Sequence, residues 1–228
     1  MRETNSRSTL RLGFWSALLY AFLLIAFDIA FIGGTAPLPG SWVGIEAYAR
    51  FYSQADFIFA AIALLLAFVL LVVLASVSYH SEGSSKVWSL VGLAFGTMHA
   101  LLLSTLCFLQ LAIVWPALLQ GAPTDLETLT LANPYALVQA LYYFAWGLGG
   151  LAFLCTGLVL RAPGLQRLTG WLFILNGLAN VALVPLYVLR RDLILYVAGP
   201  SWALGLPLVA VLLAVIFSRA ARALREAC

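Results

Sequence analysis

Residues 62–75 read IALLLAFVLLVVLA, and this stretch decides the fold class. It contains no polar residue and no alternation of polar with apolar residues. A strand of a membrane β-barrel alternates, because one face meets lipid and the other a polar lumen. The stretch lies in an apolar run over about 54–78, which is long enough to cross roughly 30 Å of hydrocarbon as an α-helix. The sequence therefore predicts a helical membrane span here.

The composition of the 228-residue chain extends this prediction to the whole molecule. Hydrophobic residues make up 64% of it and charged residues 9%, with a mean hydropathy of +1.02. A soluble domain carries about 25% charged residues, so this chain has too few to cover a surface in water. Six apolar blocks of spanning length predict an all-α membrane bundle that forms a single domain over residues 1–228. We expect the spans at about 13–33, 54–78, 87–115, 135–160, 170–189 and 202–218.

The placement of Lys and Arg predicts the orientation of this bundle. With six spans both termini lie on one side, and that side holds nine of the twelve Lys and Arg residues. The positive-inside rule then puts both termini in the cytoplasm of a bacterial inner membrane. Arg50, Arg190 and Arg191 are on the other side. The Arg190–Arg191 pair departs from this rule. A carboxylate partner, an anionic ligand or lipid headgroups would explain its position on the outer side.

A histidine sits inside the third span, in the segment GTMHALLLSTLCFLQ over 96–110. At 100° per residue, Gly92, Gly96 and Gln110 all fall within about 60° of His99 on the helix surface. Small residues four apart let a second helix approach closely. We therefore expect this stripe to face protein, with Gly92 and Gly96 in helix packing.

The other spans carry similar stripes of small and polar residues, which predict a polar interior biased toward the outer half of the membrane. Exposing such faces to lipid would cost free energy, so we expect them to converge inside the bundle. His99 and Asn176 would form the floor, and Arg190 and Arg191 the rim. The residues predicted to line a ligand-binding cavity are His99, Asn176, Asn180, Gln110, Gln139, Asp28, Asp56, Trp146 and Tyr187.

Two alternatives remain open for this interior. Aligned polar faces can enclose a solvated cavity, or they can close on each other as a dry hydrogen-bonded network. Asp28 and Asp56 could instead pair with Arg50, Arg190 or Arg191 near the interface.

Three functions fit these patterns. The first is a non-enzymatic protein that binds or passes a small solute or lipid through its interior. The second is a subunit of a membrane complex that docks a partner, or a second copy of itself, through the face of Gly92 and Gly96. The third is a membrane enzyme for a lipid-soluble substrate, with His99 as general acid or base and Asp28 or Asn176 orienting it.

Several chemistries lack the residues that they need. Lys86 is the only lysine and lies at a span boundary, so a retinal Schiff base is excluded. No cluster of His, Cys and carboxylates has the spacing of a metal site, and no catalytic motif occurs. We therefore expect no cofactor, no metal and no catalytic residue that the sequence can name. The absence of a basic stripe excludes nucleic acid and leaves the lipid bilayer as the first partner.

Residues 107–154 carry loose motifs that resemble a family of bacterial six-span integral membrane proteins of uncharacterised function. The features are a Gln-x-x-x-Val-x-Pro run, an Asn-Pro dipeptide and a glycine-rich helix. They correspond to Gln110, Val114, Pro116, Asn133, Pro134, Gly147, Gly149 and Gly150. The resemblance implies the same helical fold class and an inner-membrane setting, and it carries no activity.

Overall fold

A computed structural model describes residues 2–34, 42, 44–121, 125–189 and 193–226. Within these ranges the regular structure is helical throughout. The α-helices are α1 (Arg2–Gly33), α2 (Ile45–Phe51), α3 (Gln54–His80), α4 (Ser84–Leu109), α5 (Trp115–Leu119), α6 (Leu137–Val159), α7 (Leu165–Val188), α8 (Ile194–Pro200) and α9 (Leu206–Glu226). A first π segment (Gln110–Val114) joins α4 to α5, and a second (Ser201–Gly205) joins α8 to α9.

Six helices in the described ranges are long and apolar enough to cross a membrane, which confirms the predicted all-helical fold class. They cover Arg7–Gly33, Gln54–His80, Ser84–Leu119, Leu137–Val159, Leu165–Val188 and Tyr196–Glu226. The last runs beyond the predicted end at residue 218. The reason is that the tail sequence RAARALRE consists of strong helix formers, which continue the helix past the apolar run.

Large apolar side chains dominate the outward face of α1, as a lipid surface requires. Along α1, Trp15, Phe22 and Ile29 follow one another at seven-residue spacing, and each is 66% exposed. Seven residues are close to two helical turns, so these side chains form one face. In water this face would be costly, whereas in a bilayer it meets hydrocarbon.

The six spans form a ring in chain order. The helix α1 packs on α3, α3 on α4, α4 on α6 and α6 on α7, and α9 closes the ring by packing on α1. Contact between α7 and α9 is supplemented by α8 and the second π segment. Leu24, Leu70, Leu103, Phe153 and Leu183 fill the core and are at most 2% exposed. We call the end of the ring that bears α1's first turn and α9's last turn the terminal end.

The opposite end carries a second, smaller hydrophobic cluster, which we call the cap. It consists of Ile45 and Tyr48 from α2, Val114 from the first π segment, and Leu126 and Ala132 from the following loop. The cap covers the third span where that span leaves the bundle.

Glycines allow the closest helix contacts in the ring. A Cβ on Gly150 of α6 would lie 2.7 Å from the carbonyl oxygen of Gly177 on α7, so the two backbones touch. On α4, a Cβ on Gly92 would lie 3.0 Å from the Cβ of Cys155, and one on Gly96 would overlap Leu74. The stripe of Gly92 and Gly96 is therefore covered by the chain's own α6 and α3.

Replacing Gly150 with Ala should destabilise the bundle, because backbone atoms of α7 cannot yield to the new methyl group. We expect a loss of about 1–3 kcal/mol, measured as a lower unfolding midpoint in mild detergent. Gly33→Ala is the matched control, because its Cβ would meet only the Ala55 Cβ at 3.8 Å, an ordinary contact. Equal midpoints for the two variants would contradict the close α6–α7 contact.

Candidate functional site

His99 links α4 to α6 through the backbone. Its side chain is 2% exposed, and its Nδ1 lies 2.7 Å from the carbonyl oxygen of Ala145. A carbonyl only accepts, so Nδ1 carries a proton and donates it to this bond. The ring fits because Gly149 has no side chain: a Cβ there would lie 2.9 Å from Nδ1. His99 thus faces protein, as its stripe predicts.

Asn176 and Asn180 of α7 bond to the second π segment. The Ser201 hydroxyl donates to Asn176 Oδ1 at 2.7 Å, and Asn180 Nδ2 donates to Ser201 Oγ at 3.1 Å. The Trp202 Nε1 donates to Asn180 Oδ1 at 2.9 Å. All four residues are buried. At this point the polar faces close directly on each other, which is the geometry of a dry network.

Gln110, the first residue of the first π segment, holds the cap loop. Its Nε2 donates to the Leu129 carbonyl at 2.7 Å, and its Oε1 accepts from the Leu131 amide at 3.1 Å. Both functions of the side-chain amide are therefore used on one short piece of backbone. Gln110 lies near the cap and away from His99's partner on α6.

Asp56 caps the start of α3. Its Oδ2 accepts hydrogen bonds from the Ser53 backbone nitrogen and from the Ser53 hydroxyl, each at 2.9 Å. This is one half of a capping box, which stabilises a helix start by satisfying free donors. The cap residue Tyr48 lies in the field of this carboxylate.

Gln139, Tyr143 and Tyr187 form a separate group at the cap end. The Gln139 side chain hydrogen-bonds the Tyr143 hydroxyl, and the rings of Tyr143 and Tyr187 stack with centroids 4.8 Å apart. The Tyr187 hydroxyl donates to the Pro134 carbonyl at 2.8 Å. This group fixes α6 and α7 to the loop between α5 and α6. Arg190 and Arg191, the predicted rim, lie outside the described residues.

Trp146 occupies the centre of an aromatic cluster in the ring. It is 1% exposed, and its ring centroid lies 4.8 Å from Trp202, 5.4 Å from His99, 6.1 Å from Phe27 and 6.2 Å from Tyr142. These neighbours come from four spans. Trp146 therefore contacts one residue of the predicted polar stripes, His99, and its other ring neighbours are aromatic.

Oδ2 of Asp28 is buried without a hydrogen-bond partner among the described residues. Nε1 of Trp146 makes no hydrogen bond of good geometry, but the Trp146 side chain interacts with the Tyr142 hydroxyl. Asp28 directly follows Phe27, whose ring packs on Trp146. The Asp28 carboxyl interacts electrostatically with the Tyr142 hydroxyl. An unmade hydrogen bond at a buried group costs about 1–3 kcal/mol. A free acceptor, Asp28 Oδ2, near the Tyr142 hydroxyl and the Trp146 indole makes this the candidate site.

The described residues offer little for metal or acid–base chemistry. Within them no three His, Cys, Asp or Glu side chains come close enough to hold a metal ion. His99 can act on a proton at Nδ1 only by breaking its bond to Ala145.

Comparisons of the chain with models of protein families, with curated proteins and with solved structures give no match. The resemblance over residues 107–154 therefore stays a prediction. Fold and function rest on the residues of this chain.

Sequence reasoning missed Phe27, Tyr142, Ser201 and Trp202. Phe27 and Trp202 look like ordinary apolar residues of a span, and no local pattern separates a central aromatic from a lipid-facing one. The position of Ser201 could have been noticed, because it directly follows Pro200 at the start of a span. Neither helix capping nor a stripe of small residues explains a serine there.

Removing the Asn180 amide should leave Trp202 Nε1 without its acceptor and Ser201 without a donor. Asn180→Leu should therefore lower the free energy of unfolding by about 1–3 kcal/mol, measured by unfolding in mild detergent. Thr97→Val is the control, since its hydroxyl bonds only the Leu93 carbonyl of its own helix at an exposed position. A variant as stable as the wild type would contradict a closed network at this position.

The cap should be sensitive to alkaline pH. Burial, and then the charge of Asp56, raise the pKa of Tyr48 well above its usual range. The unfolded chain ionises this tyrosine first, so the free energy of unfolding should fall as pH rises above about 10. Tyr48→Phe should show a shallower fall between pH 9 and 11 in unfolding measurements. Thr130→Val is the control, because it removes a hydrogen bond to Tyr48 but keeps the phenol. It should show the same fall in the free energy of unfolding as the wild type. Equal pH profiles for the wild type and both variants would contradict a role for Tyr48 ionisation.

Proposed function

We propose that this chain is a non-enzymatic multi-pass protein of the bacterial cytoplasmic membrane. In this proposal it binds or passes a small solute or lipid through the half of its interior next to the cap. Both termini lie in the cytoplasm, which is supported by the nine Lys and Arg residues on the terminal side against three on the other. The cap then faces outward.

The observation that carries the proposal is the unpaired carboxylate oxygen of Asp28 near Tyr142. Buried polar groups in proteins are nearly always hydrogen-bonded, so each exception calls for an explanation. In the hydrocarbon region an exception is especially costly, because water is scarce. A solute that donates a hydrogen bond would satisfy Asp28 Oδ2. If only the stability of the ligand-free protein mattered, an apolar side chain at this position would be more favourable.

The π segments give this proposal further support. Such segments inside α-helices occur frequently at functional sites. Trp202, the second residue of one of them, packs on Trp146 with ring centroids 4.8 Å apart. The site thus lies against a part of the sixth span whose helical geometry is already altered.

The other two hypotheses have less support. A membrane enzyme would need His99, whose Nδ1 bonds the Ala145 carbonyl and whose ring is held by Gly149. An assembly subunit would need the face of Gly92 and Gly96, which α6 and α3 cover.

The two intramembrane carboxylates provide the test of this proposal. Asp28→Ala removes an unpaired group, so the unfolding midpoint should stay unchanged or rise. Asp56→Ala removes a helix cap and should cost about 1 kcal/mol. Native mass spectrometry of protein released gently from its membrane should show a small bound mass in the wild type and in Asp56→Ala that Asp28→Ala lacks.

The opposite result would count against the interior site. If Asp28→Ala destabilises the protein as much as Asp56→Ala, and the wild type carries no bound mass, the Asp28 carboxylate has a structural partner and the proposal is wrong.

A further inference from the structure

A groove of about 340 Å³ lies between α1 and α9 at the terminal end. Leu10 and Phe14 of α1 and Phe217 and Ala221 of α9 form its apolar walls. The two helices pack closely beside the groove, because a Cβ on Gly13 would lie 2.9 Å from the Phe217 ring. This groove is separate from the interior at Trp146 and from the cap, so an inference from it does not depend on the proposed function.

Three arginines border the groove. Arg11, Arg222 and Arg225 all line it, and all three are exposed. Arg222 makes one long hydrogen bond, 3.4 Å to the Ser218 hydroxyl, and no described carboxylate pairs with any of the three. Arg7, one turn before Arg11, differs because it donates to the Leu224 carbonyl at 3.0 Å and joins the two helices.

The position of the groove along the helices corresponds to lipid headgroups. The apolar run of α1 begins just after Arg11, and that of α9 ends at Phe217. Trp15, which also lines the groove, is 66% exposed. Tryptophan is enriched at the level where hydrocarbon gives way to headgroups. The groove therefore presents positive charge at headgroup depth beside an apolar surface that continues into the hydrocarbon.

We propose that this groove binds an anionic phospholipid. The guanidinium groups of Arg11, Arg222 and Arg225 would hold the phosphate, and an acyl chain would lie along Phe14 and Trp15. Arginine suits this role because its planar fork matches phosphate oxygens in a bidentate bond. Basic pockets between membrane helices bind acidic headgroups in this way. A soluble phosphate would use the charges but would leave the apolar wall without a partner, which favours a lipid.

The test is native mass spectrometry of the full-length protein in mild detergent, titrated with phosphatidylglycerol or with phosphatidylcholine. The wild type should retain one phosphatidylglycerol in preference to phosphatidylcholine. Arg11→Gln with Arg222→Gln should weaken phosphatidylglycerol binding about tenfold or more, the effect of losing roughly 1.4 kcal/mol of binding free energy. Arg161→Gln with Arg167→Gln removes the same number of exposed charges from the same end of the bundle and should bind as the wild type does.

A second variant separates shape from charge. Ala221→Phe keeps every arginine but fills the groove, so it should also lose phosphatidylglycerol while its unfolding midpoint stays near that of the wild type. Equal weakening in the two arginine pairs would overturn the proposal, because it would show attraction to the whole basic surface. Unchanged binding in Ala221→Phe would also overturn it, and so would displacement of the lipid by millimolar inorganic phosphate.

Discussion

Hydrocarbon offers no hydrogen bonds, so each backbone and side-chain polar group at membrane depth needs a partner within the protein. This constraint explains how the chain uses its few intramembrane polar residues. Several of them bond to backbone carbonyls of helices: His99 to Ala145, Asn176 to Leu172 and Thr156 to Ala152. The bond of His99 joins α4 to α6, whereas those of Asn176 and Thr156 reach the carbonyl four residues earlier in their own helices. Against this background the unpaired Oδ2 of Asp28 stands out.

The two π segments follow a shared sequence pattern. The first reads QLAIVWP from Gln110 to Pro116, and the second SWALGLP from Ser201 to Pro207. In each case a polar residue starts the segment and a proline follows its end by two positions. Proline has no N–H to donate and its ring collides with the carbonyl four residues earlier, so a widened turn relieves both problems. The leading polar side chain then bonds to a neighbouring element, to the cap loop in one span and to α7 in the other.

The fold class could be predicted from the sequence because span length and hydropathy are local properties. The helical stripe also placed His99 on a protein-facing surface, which agrees with its 2% exposure. The partners could not be predicted, since they depend on the ring order of the spans. The acceptor for His99 is a backbone carbonyl, which leaves no trace in the sequence. The groove beside Arg11 and Arg222 exists only because the first span packs on the last, whereas the sequence showed these arginines simply as topology signals.

The packing of α1 on α9, with the Arg7 side chain bonded to the Leu224 carbonyl, has a consequence for biogenesis. During synthesis α1 receives its second neighbour only when α9 has been made. Until then, the face of α1 that later meets α9 must be covered by lipid or by the insertion machinery. A nascent chain truncated before α9 would retain four of the neighbouring pairs in the ring but would leave α1 and α7 as open edges. Synthesis of α9 is thus the event that allows the ring to close.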